Sequence, residues 1–522
     1  IPDRRAVDRS FVAQGMEQRI HGDKLAGEIA MTRKVFISKL PTGVPGLDPL
    51  LGGGVAEFSF NIIAGQPGAG KTTLAHQMMF ALANPERKAL FFTVLGEPAL
   101  KMLRYQQQYH FFEIEKIDHA IRFINLGVEV LSGDFDRVMD RIVAEVESFE
   151  PAFVFVDSFR SVTEVAGATG KNGALHHFVQ HLGIRMTSWQ ATTFLIGEYN
   201  LLDSETHPVF TIADGILTLT QSLTRNSMVR KIQIAKMRGQ ATVAGLHTFR
   251  ITDDGIRVFP RILSSSASTN CAPGRHAKAA KRPALSLGVP MLDEMMGGGL
   301  PAGYSLLVAG PSGSGKSLLA TAFLAEGARI GQKGVVAAFE MGPGQTHNPR
   351  LAELVDGGHV GVVDTRALDL SIDETLYALT EMIKTTGATR VVIDSLSGFE
   401  LALAPAFRED FRESLHRMVS VLAALGVTIL VVCELEDRYI DFRFSPYGSA
   451  FLTDAIIVQR YVELRGDLQR VMAVVKVRNR RHSHALRMYE ITDAGFVIGE
   501  ARPEMDALLT GHPRSASVLS ST

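Results

Sequence analysis

Gly65-Gln66-Pro67-Gly68-Ala69-Gly70-Lys71-Thr72-Thr73 and Gly310-Pro311-Ser312-Gly313-Ser314-Gly315-Lys316-Ser317-Leu318 are two renderings of one pattern, G-x-x-x-x-G-K-[ST], in a chain of 522 residues. The glycines let the backbone curl so that successive N–H groups face an anion. The lysine reaches the β/γ-phosphates, the hydroxyl of Thr72 or Ser317 binds Mg²⁺, and the following helix sets its positive end against the phosphate. Each loop follows an apolar strand pattern (Phe60-Asn-Ile-Ile-Ala64; Leu306-Leu-Val-Ala309) and precedes a helical one. The motif therefore stands in the strand–loop–helix context it requires, twice. ATP with Mg²⁺ is the ligand this chemistry predicts.

Outward from the loops, the duplication extends along the chain. Gly43-Val-Pro-Gly-Leu-Asp48 returns as Gly288-Val-Pro-Met-Leu-Asp293, and Gly52-Gly-Gly54 as Gly297-Gly-Gly299. Val156-Asp157-Ser158 returns as Ile393-Asp394-Ser395, Lys236-Met237-Arg238 as Lys476-Val477-Arg478, and Ile251-Thr252-Asp253 as Ile491-Thr492-Asp493. Ordered matches at nearly constant spacing mean duplicated domains of about 240 residues, far longer than a solenoid repeat. Expected boundaries are an N-terminal arm at 1–37 (non-native or disordered, with Met31 as a possible start), a first domain at 38–262, a Ser/Ala/Lys-rich linker at 263–284, a second domain at 285–500 and a loose tail at 501–522.

Within each copy, short apolar runs alternate with longer helical patterns. Strands are predicted at 58–64, 89–94, 153–157 and 192–196, then at 305–309, 334–339, 390–394 and 428–433. Continuous apolar runs of this length suit strands buried on both faces of a parallel sheet. The fold class is α/β, with a mostly parallel central sheet flanked by helices, twice over. Asp157 and Asp394 end apolar strands, where a carboxylate can hold a Mg²⁺-bound water beside the loop.

Composition narrows the function classes. Apolar residues at 46% and charged residues at 21% describe a globular protein. Lys+Arg 54 against Asp+Glu 55 leaves a net charge of −1, without the basic excess of a polyanion binder, so nucleic acid is not the expected partner. Two cysteines, Cys271 and Cys433, exclude a disulfide scaffold and suit a reducing cytosol. No run is long enough for a membrane span, and a cytoplasmic location is expected.

Gly-Val-Pro-x-Leu-Asp, a glycine triplet, the phosphate loop, Lys-x-Arg and Ile-Thr-Asp together resemble the KaiC-like branch of the RecA-type ATPases, across roughly residues 38–500. The resemblance implies two tandem RecA-like P-loop domains and a homo-oligomer, a hexameric ring holding ATP between neighbouring subunits. It also implies a signalling or timing role with a protein partner that no motif specifies. Lys236 and Arg238, and likewise Lys476 and Arg478, should reach the nucleotide of the adjacent subunit; Thr252, Asp253, Thr492 and Asp493 should line the subunit boundary. Arginine suits such a role because its fixed fork of donors matches phosphate oxygens.

Departures from the family pattern carry their own message. Where the family has adjacent glutamates after the second strand, the second copy has Glu340-Met341 and the first has Leu95-Gly96, with Glu97 displaced. Glu340 is the expected catalytic carboxylate and Glu97 a weaker candidate, so hydrolysis should be slow. The family's serine/threonine autokinase acceptors fall on Ala450 and Phe451, which lack hydroxyls; Ser445, Ser449 and Thr453 are nearby substitutes. Basic residues cluster at Asn479-Arg-Arg-His482-Ser-His484, able to meet phosphate or simply face solvent. Glu198 and Glu434 end strands where either a γ-phosphate sensor or a structural cap can sit. His176, His177 and His181 read as a solvated helix face rather than a metal pair. The readings left open are a ring ATPase switch, a nucleotide-gated assembly scaffold with little catalysis, and a recombinase-like DNA-dependent ATPase.

Overall fold

The structure is a computed structural model that describes residues 37–94, 99–131, 134–159, 172–199, 208–261, 282–339, 348–363, 369–435, 453–464, 466–493 and 495–501, with 505–506 and 514–515. The arm before residue 37, most of the linker and most of the tail lie outside these residues, as do Leu95 to Pro98, Glu340, Met341, Ser445, Ser449, Ala450 and Phe451.

Two nine-stranded sheets form, one per copy. The first comprises β1 (Phe60–Gly65), β2 (Ala89–Thr93), β3 (Ile121–Asn125), β4 (Phe153–Asp157), β5 (Thr192–Gly197), β6 (Gly215–Thr224), β7 (Ser227–Met237), β8 (His247–Thr252) and β9 (Gly255–Phe259). The second comprises β10 (Ser305–Gly310), β11 (Gly334–Ala338), β12 (Val360–Val363), β13 (Arg390–Asp394), β14 (Thr428–Glu434), β15 (Ala455–Leu464), β16 (Asp467–Val477), β17 (Arg487–Thr492) and β18 (Gly495–Ala501). The spatial order is β3-β2-β4-β5-β1-β6-β7-β8-β9 in the first sheet and β12-β11-β13-β14-β10-β15-β16-β17-β18 in the second. Position for position these are the same topology. The first six strands of each order pair in parallel, and the last three continue as an antiparallel meander.

All eight predicted strands are present, with ends shifted by a residue or two. Their interiors are buried throughout, as β1, β2 and β10 show. Burial on both faces follows from helices packed on either side, among them α1 (Lys71–Leu82) and α2 (Lys316–Arg329), each of which begins at its phosphate-loop lysine. The apolar core accordingly splits into one cluster on each face of each sheet.

The copies touch through a polar seam. Arg250 on β8 forks onto Glu374 (3.0 Å) and donates to the Asp369 carbonyl (2.7 Å). Glu374 also closes the capping box, with Ser371, that starts α3 (Ile372–Thr386). Arg261 pairs with Glu413 at 3.1 Å, Lys231 lies 5.3 Å above the Phe407 ring, and Phe259 meets Tyr377 edge-on.

One buried ionisable group on α1 gives the first domain a pH dependence. His76 is fully buried beside Phe91, with ring centroids 4.5 Å apart, and burial pushes its imidazole from 6.5 down to about 4. The unfolded chain therefore binds a proton through this window that the folded chain refuses, and stability falls as pH drops below 6.5. The expected loss by pH 5 is about 2 kcal/mol. Thermal melts at pH 7 and pH 5 should show the fall, and His76→Leu should flatten it.

Candidate nucleotide sites

Each phosphate loop leaves the C-terminal end of its sheet's central strand, β1 or β10, and turns into α1 or α2. The turn closes at Gly70 and Gly315, whose φ values of 98° and 93° cap the helices in a left-handed conformation. A Cβ at either position would also stand 2.8 Å from Ile251 Cδ1 or 2.6 Å from Ile491 Cδ1. Only glycine meets both demands. Behind the curl, Lys71 Nζ donates to the Gln66 carbonyl at 2.9 Å and Lys316 Nζ to the Pro311 carbonyl at 2.6 Å, so each ammonium is folded over its own loop.

In the first copy the cleft measures about 670 Å³ and is lined by Pro67, Gly68, Gly70, Lys71, Thr72 and Thr73 on the loop side. Thr72 Oγ1 donates to Asp157 Oδ2 at 2.6 Å, which brings the hydroxyl and the strand-end carboxylate together. Burial lowers the Lys71 pKa, with Glu198 and Asp157 opposing that shift. Two hard oxygen donors beside a lysine at a helix start fit a small divalent cation that keeps most of its own waters. In the second copy, Ser312, Gly313, Gly315, Lys316, Ser317 and Leu318 line a cleft of about 280 Å³ with Asp394 and Glu434. Both clefts adjoin a cis peptide, Asp157–Ser158 and Asp394–Ser395. Glu198 and Glu434 line the two clefts.

Lys-x-Arg lies elsewhere. Lys236 Nζ donates to the Phe210 carbonyl (3.2 Å) and Lys476 Nζ to the Thr453 carbonyl (2.7 Å). Arg238 pairs with Asp214 and Arg478 with Asp454, both at 3.3 Å. Those aspartates also accept the backbone N–H that opens β1 (Phe60, 3.0 Å) and β10 (Ser305, 3.0 Å). The cations therefore stand at the opposite end of the central strand from their own phosphate loop, about 16 Å away along six strand residues. Desolvation, followed by the neighbouring arginine, lowers the pKa of Lys236 and of Lys476. The glycine triplets buttress the turns that follow: a Cβ at Gly52 would collide with the Ala241 carbonyl, and one at Gly297 with the Arg481 carbonyl, each at 2.3 Å. Arg480 is held there too, donating to the Gly299 carbonyl at 3.1 Å.

Thr252 and Asp253, like Thr492 and Asp493, occupy the hairpin tips of β8–β9 and β17–β18. The isoleucine before each pair, Ile251 or Ile491, faces its own chain's cleft. The sequence reading passed over these isoleucines, although their recurrence ahead of Thr-Asp was a usable signal. It also missed Met102, Tyr109 and Arg230 in the first cleft, which no motif marks. His177 and His181 are exposed with rings 4.0 Å apart, and among the described residues no group of three His, Cys, Asp or Glu could hold a metal. Thr453 is buried, and burial pushes the Cys433 thiol up to about 12. No helix among the described residues is long and apolar enough to cross a membrane.

A family model described as "ATPase: KaiC" matches residues 40–262 and again 285–502. The chain is similar to the circadian clock oscillator protein KaiC of Rippkaea orientalis, 25% identical over 498 residues that cover 92% of each chain. It is likewise 25% identical to the circadian clock oscillator protein KaiC 1 of Synechocystis sp., over 92% of this chain and 93% of that one. Two loops, two strand-end aspartates and two matched sheets in one order, joined to a family match over both copies, place this chain in the KaiC ATPase family as a tandem of RecA-like domains.

Proposed function

We propose that the chain binds Mg²⁺–ATP at both phosphate loops and hydrolyses it slowly at the seams of a homo-oligomeric ring, a hexamer in this reading, as a signalling or timing switch. The observation that carries the proposal is the position of Lys236, Arg238, Lys476 and Arg478. Each pair is fixed at the end of the sheet remote from its own loop, so its charge can serve a triphosphate only on a neighbouring subunit.

The residue roles follow from placement and chemistry. Loop amides and Lys71 or Lys316 bind the phosphates; Thr72 with Asp157, and Ser317 with Asp394, would hold Mg²⁺. The metal, when bound, neutralises charge on the β- and γ-oxygens. Arg238 and Arg478 add a forked donor set from across the seam. Glu340 is assigned to orient the attacking water in the second copy. In the first, Leu95-Gly96 leaves the displaced Glu97 as the available carboxylate. Ala450 and Phe451 offer no hydroxyl for the family's usual autophosphorylation.

Those missing glutamates favour a second reading, a nucleotide-gated scaffold in which ATP joins subunits and turnover is negligible. Phosphate release separates the two. In the switch reading, Glu340→Gln lowers the wild-type rate by roughly a hundredfold; a scaffold shows no change. The seam itself is tested by subunit mixing. Chains carrying Lys71→Ala and Lys316→Ala, and chains carrying Arg238→Ala and Arg478→Ala, should each lose roughly tenfold or more in hydrolysis. Mixed rings should regain part of it, because an intact loop then meets an intact arginine. A mixture no more active than its parents contradicts the assignment.

A further inference from the structure

The two phosphate loops share a backbone path but are braced differently. In the second copy the Tyr489 hydroxyl donates to the Ser314 carbonyl at 2.6 Å, and Ser314 Oγ donates to Gln459 Oε1 at 3.0 Å. Gln459 and Ser314 are fully buried, and Tyr489 nearly so. The matching residues of the first copy are Phe249, Ala69 and Leu219, all three in its apolar core. The correspondence is fixed by register: Gly65 pairs with Leu219, and Ala309 pairs with Val458, one step before Gln459. Three positions on three separate segments therefore differ together between the copies, an apolar contact in the first and a hydrogen-bonded chain in the second.

A neighbouring brace is common to both copies. Gln221 Nε2 donates to the Pro67 carbonyl at 2.9 Å, and at the matching place the Tyr461 hydroxyl donates to the Ser312 carbonyl at 3.3 Å. The second loop thus has the shared brace plus one more, placed on the residue just before Gly315.

A peptide unit is planar and trans, so its C=O and the next N–H point in opposite directions. Pinning the Ser314 carbonyl to Tyr489, on the sheet side, turns the Gly315 N–H the other way, and Gly315 lines the cleft. We propose that Tyr489 is a positioning residue of the second nucleotide site, with Ser314 and Gln459 completing a buried brace that holds the Gly315 N–H ready for phosphate. The first site lacks this brace. The inference rests on the reading of both loops as ATP sites and adds an asymmetry between them: the second loop carries this extra hydrogen-bonded hold before its ligand arrives, whereas the first has apolar packing at the same point beside the shared Gln221 brace. Preorganisation of this kind strengthens binding by removing an ordering cost.

The test uses the full-length chain carrying Lys71→Ala, so that only the second site reports, titrated with Mg²⁺–ATP by calorimetry. Tyr489→Phe, which installs the first copy's own residue, should weaken binding by about fivefold to tenfold, the worth of one such hydrogen bond. KM for ATP should rise by the same factor with kcat unchanged, as expected when binding common to ground and transition state is removed. The melting temperature without nucleotide should fall by only a few degrees, the cost of one buried hydrogen bond, and the first site, read in a Lys316→Ala background, should not respond. Unchanged affinity in a Tyr489→Phe chain whose parent binds ATP overturns the brace alone. An affinity loss matched by an equal loss at the first site also overturns it, as general destabilisation. A Lys71→Ala parent that binds no Mg²⁺–ATP removes the nucleotide reading and the brace with it.

Discussion

The phosphate loop can close only because Gly70 and Gly315 accept a left-handed backbone while an isoleucine from the far hairpin presses against them. That contact joins the two ends of each domain in sequence. The loop lies near the start of each copy and Ile251 or Ile491 near its end, so the antiparallel meander returns to pack against the loop at the end of the parallel sheet's central strand. Lysine, hydroxyl and strand-end carboxylate take their positions from it. The helix start is fixed by the same glycine, which aligns α1 and α2 on the place where an anion would sit.

Duplication has preserved the frame and altered the supports. Both sheets run in the same strand order, and Lys-x-Arg is tethered in both by an aspartate that also opens the central strand. Just before the last loop glycine the support in the first copy is apolar, from Ala69, Leu219 and Phe249; in the second it is polar, from Ser314, Gln459 and Tyr489. The first copy's β8 has a double task. Arg250 holds the start of α3 in the second copy, while its chain neighbour Ile251 faces the first cleft. A polar seam of this kind sets the geometry between the copies more than it adds to stability, since partly exposed ion pairs contribute little.

Much of the frame was legible in the sequence, for a physical reason. Strands buried on both faces must be apolar throughout, and the runs at β1, β4, β10 and β13 could be read directly. The parallel strands at the sheet edges were not: β3 and β12 are half-buried, the first mixing polar with apolar residues and the second only four residues long and interrupted by Gly361. The phosphate loops were legible because their backbone demands glycine at fixed spacing. Tyr489 was not, because an aromatic residue in a strand looks like core whether or not it touches the site, and Tyr109 lies in a turn that no motif marks. The position of Lys-x-Arg relative to its own loop also required the sheet order, which motif spacing does not encode. Glu97 and Glu340, the expected catalytic carboxylates, lie outside the described residues.

The central claim is that each chain grips two triphosphates, one per loop. Equilibrium dialysis of the full-length protein against Mg²⁺–ATP, with bound nucleotide counted per chain, tests it directly. The account predicts two nucleotides for the unaltered chain and one for each of Lys71→Ala and Lys316→Ala. Retention of none by the unaltered chain, or a count that neither substitution lowers, contradicts it.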